Sequence, residues 1–246
     1  MALGDFAPQA RAYAARPGYP DELVDLLLDR ADVAGGDHVA DLGAGTGIFT
    51  RELARRELTV HAVEPSEAMR GQAPNMPQVR WYPGTFEDTG LETGSMRWAT
   101  AAQAFHWADP ARALPELHRI LAPGACFTCL WNDRRDHDSA MLRAVMDVIR
   151  GEAPEFDERY RDHDWTATLL VGGCFEDVVT DEVHHVVAMG RDRFRGLWRS
   201  HNHLTETAGP ARLPRVLAAI DALTADVSEI AVPYVTRAFT ARAVAR

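Results

Sequence analysis

Val39-Ala40-Asp41-Leu42-Gly43-Ala44-Gly45-Thr46-Gly47 is the stretch whose reading decides the fold. Two apolar residues run into an acid, three glycines fall at alternate positions, and the apolar, helix-compatible segment from Ile48 to Leu53 follows. That order reads as strand, tight loop, helix. Glycine carries no Cβ and tolerates positive φ, so the loop can bring bare backbone up to a ligand. Spacing separates the competing nucleotide-binding readings. A phosphate-cradling loop needs G-x-x-x-x-G-K-[ST], and no Lys follows these glycines. The dinucleotide fingerprint is G-x-G-x-x-G, whereas here the glycines run G-x-G-x-G with Asp41 just ahead of them.

Outward from the loop, apolar periodicity predicts a helix from Asp21 to Arg30, opened by an acid behind Pro20 and closed by Gly35-Gly36. The chain then alternates: strand 38–42, helix 47–55, strand 59–63, helix 66–72, strand 79–82, strand 97–102, helix 110–121, strand 125–131. Such alternation argues for an α/β fold with a doubly wound, mostly parallel sheet. After Asn132 the pattern changes to a helix near 139–150, an acidic and aromatic stretch to Trp165, a segment 167–171 and strand-like 178–188. A helical insertion over about 191–227 precedes a last strand at 230–244. Strand, insertion, strand predicts an antiparallel pair, with the insertion capping the cleft. The expected organisation is one domain over 1–246, residues 1–20 forming an N-terminal lid.

Composition narrows the function. Lys+Arg 26 against Asp+Glu 36 gives a net charge of −10, which disfavours a large nucleic-acid footprint because phosphate binding needs clustered cations. Every one of those cations is Arg, so Schiff-base chemistry on a lysine is excluded. Cys126, Cys129 and Cys174 form neither an even disulfide framework nor a four-ligand zinc site, and the first two fall in a predicted buried strand as small core residues. His184-His185 alternate along a strand and face opposite ways, and His201 with His203 gives no stronger metal pattern, so no metal is expected. Neither a signal peptide nor a membrane-spanning apolar run is legible. The expectation is a cytoplasmic protein, monomer or homodimer, with a small-molecule partner and no membrane or nucleic-acid partner.

The acid followed by x-G-x-G-x-G resembles the first motif of class I S-adenosylmethionine (SAM) dependent methyltransferases. Ala102-Gln103-Ala104-Phe105-His106-Trp107, just after the fourth strand, resembles a small-molecule subset related to the trans-aconitate methyltransferase-like group. Tyr13…Arg16-Pro17-x-Tyr19-Pro20, Trp131-Asn132-x-Arg134-x-Asp136 and Pro233-Tyr234-Val235-Thr236 add to that likeness. It implies a seven-stranded Rossmann-like sheet, SAM as cofactor and S-adenosylhomocysteine as product. The chain departs from the pattern at Thr85, where an Asp commonly accepts from adenine, and at Arg97, where an Asp often opens the fourth strand. It departs again at Ser200-His201-Asn202-His203, where the subset tends to have Ser-x-Ser.

Ligands of such sheets lie beyond the carboxyl ends of the strands, so post-strand residues are the site candidates. For the cofactor these are Asp41, Gly43, Ala44 and Gly45 in the loop, and Glu64 with Pro65 after the second strand, where a carboxylate can accept from a ribose diol. Thr85 and Phe86 are assigned to adenine, Ala102 and Gln103 to the fourth strand's end. Arg16 and Tyr13 are assigned to the cofactor carboxylate, which a guanidinium matches bidentately; Arg16 as a plain lid anchor is the other reading. For the acceptor the candidates are Tyr19, His106, Trp107, Trp131, Asn132, Trp198 and His201.

Displacement at a sulfonium needs near-attack geometry before anything else, so no catalytic residue is obligatory. Where the acceptor must lose a proton, His106 or His203 could take it as neutral imidazole; His106 simply packing beside its aromatic neighbours is the alternative. The leading reading is methyl transfer to an O or N nucleophile of a small metabolite, for example in specialised metabolism. Intramolecular cyclisation of SAM, a non-catalytic SAM-binding protein, and methylation of RNA or protein stand as alternatives.

Overall fold

The computed structural model describes residues 15–156 and 163–245. Helix α1 (Asp21–Ala31) leads into β1 (His38–Leu42), α2 (Ile48–Ala54), β2 (Thr59–Val63), the short α3 (Glu67–Arg70), β3 (Val79–Tyr82) and β4 (Met96–Ala102). Helix α4 (Pro110–Ile120) runs into β5 (Leu121–Arg134), followed by α5 (Ala140–Glu152) and α6 (Trp165–Leu169). Then come β6 (Phe175–Met189), α7 (Arg191–Arg199), α8 (Asn202–Leu223) and β7 (Ile230–Ala243). The strands form one seven-stranded sheet in the order β3-β2-β1-β4-β5-β7-β6. The first five are parallel, and β7 is antiparallel to both β5 and β6. This is the mostly parallel sheet with a terminal antiparallel pair that the sequence pattern predicted.

Alternation along the strands sorts the core onto two faces, as a period of two requires. Phe127, Cys129 and Trp131 of β5 join Ala99, Ala101, Phe239 and Ala241 on one face, under α4 and α6. Cys126 and Leu130 join Val39, Val60, Trp98 and Ala238 on the other, under α1 and α2. The two cysteines therefore sit on opposite faces, and burial raises both thiol pKa values. They behave as small core side chains.

A third cluster gathers α5, α7 and α8 over one end of the sheet, where Phe194, Trp198, Leu204 and Ile220 pack with Val232 and Tyr234 of β7. Helix α8 is broken at Gly209, whose φ of 64° is left-handed, with Pro210 and Pro214 behind it. The lid expectation is only partly visible, because most of residues 1–20 lies outside the described residues. Its inner end is held by α7: Arg193 donates to the carbonyls of Ala15 and Arg16, and Arg16 to that of Ser200.

Strand lengths create the site. β4 stops at Ala102, level with Leu130 of β5, whereas β5 continues through Trp131–Arg134 against Tyr234–Thr236 and Arg237 of β7. Four extra residues at about 3.3 Å each give a wall roughly 13 Å tall beyond the carboxyl edge of the parallel strands. The cluster of α5, α7 and α8 covers the outer side of that wall.

Candidate active site

The glycine loop takes its shape from three left-handed residues, Gly43, Gly45 and Gly47, at φ 63°, 57° and 80°. Position 43 has no room for a side chain. A Cβ there would stand 2.6 Å from Ala104 Cβ and 3.1 Å from the Phe86 ring. The loop is thus pressed against the segments that follow β3 and β4.

Asp41 ends β1 fully buried, and its two oxygens accept from Thr50 of α2 (2.6 Å) and Thr100 of β4 (3.0 Å). Burial lifts its pKa to about 6 against the pull of those hydroxyls, and the Glu64 charge adds to the rise. Fully buried and bonded to both hydroxyls, Asp41 fixes strand, loop and helix to one another. Glu64 directly follows β2 and spans the loop: one oxygen accepts from the Gly45 amide at 3.0 Å, the other from the Ser66 amide at 2.8 Å. Each carboxylate oxygen has a further lone pair, so Glu64 retains the capacity to accept from a ligand. Its pKa is raised, burial outweighing the two amide donors and the Arg70 charge.

Thr85 Oγ1 accepts from the amides of Glu87 and Asp88, shaping the turn after β3, and Phe86 packs edge-on to Phe105 at 5.6 Å. Gln103, directly after β4, is a non-glycine residue at φ 58°. Its amide donates to Leu130 O and its side chain to Asn132 O. A strained position pinned from two sides at the rim of a cleft is where functional backbone is commonly found. Asn132 is itself tied down, donating to Gly18 O at 3.0 Å and accepting from Thr236 Oγ1. Since Thr236 donates to Asn132, it accepts from His185 Nε2 at 3.0 Å, and the row fixes which way the Asn132 amide points.

These elements enclose a cavity of about 930 Å³. It is lined by Asp41, Gly43, Ala44, Gly45, Glu64, Pro65, Thr85, Phe86, Ala102 and Gln103. Arg16, Tyr19, His106, Trp107, Trp131, Asn132, His201 and His203 also line it. The structure so brings together the described residues assigned from sequence, with Trp198 the exception. Trp198 is fully buried and does not line the cavity. Its predicted acceptor contact is corrected to a supporting one, because its large ring is taken up by the α5–α7–α8 core and by the Arg134 guanidinium 3.9 Å above it. Tyr13 lies outside the described residues.

The imidazoles differ in setting. His106 opens onto the cavity yet lies deep in the protein mass; burial first and the Arg16 charge second lower its pKa to about 4. It is neutral at pH 7. His201 uses Nδ1 to cap α8, accepting from the Leu204 amide, and its ring stacks on Trp198. His203 sits 5.2 Å from the Phe156 ring.

Sequence reasoning missed Trp165, Arg134, Tyr234 and Phe239, which also line the cavity. Trp165 stacks on Trp131 at 4.1 Å between centroids, 16° from parallel, so Trp131 is half packing and half cavity wall. Arg134 is 4% exposed and paired with Asp136 at 2.6 Å. The Trp131-Asn132-x-Arg134-x-Asp136 and Pro233-Tyr234 motifs were legible signals for two of these residues; nothing local in the sequence marks Trp165 or Phe239.

The chain is similar to known methyltransferases. The methyltransferase-domain family matches residues 40–129. An uncharacterized methyltransferase of Mycobacterium tuberculosis (strain ATCC 25618 / H37Rv) is 34% identical over 225 residues, covering 84% of this chain and 90% of the relative. A solved structure assigned as a type II methyltransferase from Anaeromyxobacter dehalogenans superposes with a TM-score of 0.71 at 28% identity, covering 94% of this chain and 99% of that one. Trans-aconitate 2-methyltransferase of Pseudomonas aeruginosa (strain UCBPP-PA14) is 30% identical over 131 residues, or 52% of this chain and 47% of the relative.

Proposed function

The chain belongs to the class I SAM-dependent methyltransferases, and from that premise we propose that it transfers a methyl group to an O or N nucleophile of a small-molecule metabolite. The observation that carries the reading is the continuous cavity of about 930 Å³ running from the glycine loop to His106 and Asn132. Its size sits at the upper end of ordinary ligand pockets, which suits a cofactor together with a small acceptor and not a polymer. The partial likeness to a trans-aconitate enzyme supports a small acceptor without naming it.

On the cofactor side, Gly43, Ala44 and Gly45 offer backbone and Glu64 accepts from the ribose hydroxyls. Pro65, Thr85, Phe86, Ala102 and Gln103 bound the nucleoside, and Arg16, with Tyr13 ahead of it, serves the carboxylate. Bound there, SAM supplies a methyl group on a sulfonium with a good leaving group. On the acceptor side, Tyr19, His106, Trp107, Trp131, Asn132 and His201 hold the nucleophile in line, which supplies most of what such a displacement needs.

His106 is the first choice for a base and His203 the second. A conjugate acid near pH 4 makes His106 ready to accept a proton at neutral pH but a weak base. The protein is taken to work in the cytoplasm as a monomer or homodimer, and among the described residues no helix is long and apolar enough to cross a membrane.

The test is incubation with SAM and a metabolite extract, followed by mass spectrometry. S-adenosylhomocysteine together with an acceptor heavier by one methylene supports methyl transfer. Methylthioadenosine in its place would move the chain to cyclisation of SAM, and no turnover with intact SAM binding would make it a binding protein.

A further inference from the structure

Among the described residues three buried side-chain polar atoms lack a hydrogen-bond partner: Trp198 Nε1, Asn202 Oδ1 and Tyr234 Oη. Such atoms are rare in native proteins and each asks for a reason. The Trp198 nitrogen is sealed in the core away from the cavity. The other two belong to residues of the cavity wall, one on β7 and one at the start of α8.

Tyr234 is 3% exposed and sits in the overhang. Its strand neighbours in register are Arg134 of β5 and His185 of β6, and the His185 ring stacks on it at 5.5 Å. The ring is therefore held on its His185 side by a stacked imidazole. Burial raises the phenol's pKa, so its proton stays available for donation at neutral pH. Among the described residues the charges acting on the hydroxyl are those of Arg134, Arg16 and Arg193, which favour its ionised form, and that of Asp136, which opposes it. Arg193 donates to the carbonyls of Ala15 and Arg16, which leaves its charge in place. A phenol donor in a net positive setting suits an oxyanion. Asn202 Oδ1 can only accept, and so calls for an O–H or N–H.

We propose that Tyr234 and Asn202 form the anchoring subsite for the methyl acceptor. Tyr234 Oη donates to an oxyanion of the acceptor, and Asn202 Oδ1 accepts from a neighbouring hydroxyl or amine. The acceptor is thus a small molecule that carries an anionic group beside a hydrogen-bond donor. This rests on the methyltransferase reading, since it names the acceptor class of that same cleft. Tyr234 then determines which acceptors enter and how they lie.

The test uses the full chain loaded with S-adenosylhomocysteine and four probes in calorimetry: mandelate, its neutral amide mandelamide, phenylacetate, which lacks the hydroxyl, and phenyl phosphate. Mandelate is expected to bind, with mandelamide about tenfold weaker, the size of one lost charge-assisted hydrogen bond. Tyr234→Phe is expected to weaken mandelate about tenfold while S-adenosylhomocysteine affinity stays within about twofold. Asn202→Ala should remove the preference for mandelate over phenylacetate. Phenyl phosphate binding with the same Tyr234 dependence extends the subsite to phosphate esters, and its failure beside bound mandelate restricts it to carboxylates. Equal mandelate affinity in wild type and Tyr234→Phe, or no binding of either oxyanion probe to the loaded protein, overturns the proposal. Failure of S-adenosylhomocysteine itself to bind would instead overturn the methyltransferase reading.

Discussion

On the glycine-loop side of the cleft the buried carboxylates are already answered within the protein: Asp41 by two threonine hydroxyls, Glu64 by two backbone amides. On the overhang side Tyr234 Oη and Asn202 Oδ1 are left unanswered. The first wall is assembled from one short run of sequence and the ends of neighbouring parallel strands. The second draws Trp131, Arg134, Trp165 and Tyr234 from three separate elements and His201 from the turn between α7 and α8. A wall that meets one constant ligand can be made of backbone and pre-satisfied acids. A wall that selects among ligands keeps side-chain atoms waiting for the ligand to complete them.

The largest effect should come from breaking the support of the second wall. Asp136→Ala leaves the Arg134 guanidinium buried over Trp198 without its carboxylate, and removal of one partner of a buried pair costs about 3–5 kcal/mol. Urea denaturation checks this, and a loss under about 1 kcal/mol would show that Arg134 is held by other contacts.

Gly43→Ala strikes the first wall. Its Cβ would meet Ala104 at 2.6 Å from a left-handed backbone, so cofactor affinity should fall roughly 100-fold, about 2.7 kcal/mol. Calorimetry with S-adenosylhomocysteine reads it; unchanged affinity would detach the loop from the cofactor. Glu64→Gln keeps the shape and removes the charge, and should weaken the cofactor by about 10- to 100-fold, the range for hydrogen bonds to an ionised group.

The smallest effect lies outside both walls. His61 is buried between His38 Nδ1 and Tyr82 Oη, each 2.9 Å from one of its ring nitrogens. Burial first, then the charges of His38 and Arg80, lower its pKa to about 4. The unfolded chain takes up this proton from about pH 6.5 downward while the folded chain resists, so the contribution to stability is complete above that pH and lost toward pH 4. Thermal denaturation across that window should slope less steeply in His61→Gln than in wild type, and parallel curves would remove His61 from the account.

The same contrast explains what the sequence disclosed. The loop, Glu64 and Gln103 were legible because each is fixed by its position just after a strand, a local relation. The strand alternation and the terminal antiparallel pair were legible for the same reason. Trp165 was not, because its place beside Trp131 depends on how α6 returns to the sheet. Trp198 was misread as a ligand contact because sequence cannot tell an aromatic that faces a cleft from one that backs it. The overhang itself followed from pairing between β5 and β7, about a hundred residues apart, and its extra length beyond 131 was invisible to a strand assignment ending there.

The division of the cleft into two separable walls is tested most directly by S-adenosylhomocysteine calorimetry on Glu64→Gln and Tyr234→Phe side by side. Glu64→Gln should lose about tenfold or more in affinity and Tyr234→Phe should match wild type within about twofold. Equal losses in both variants, or a loss in Tyr234→Phe alone, would contradict it.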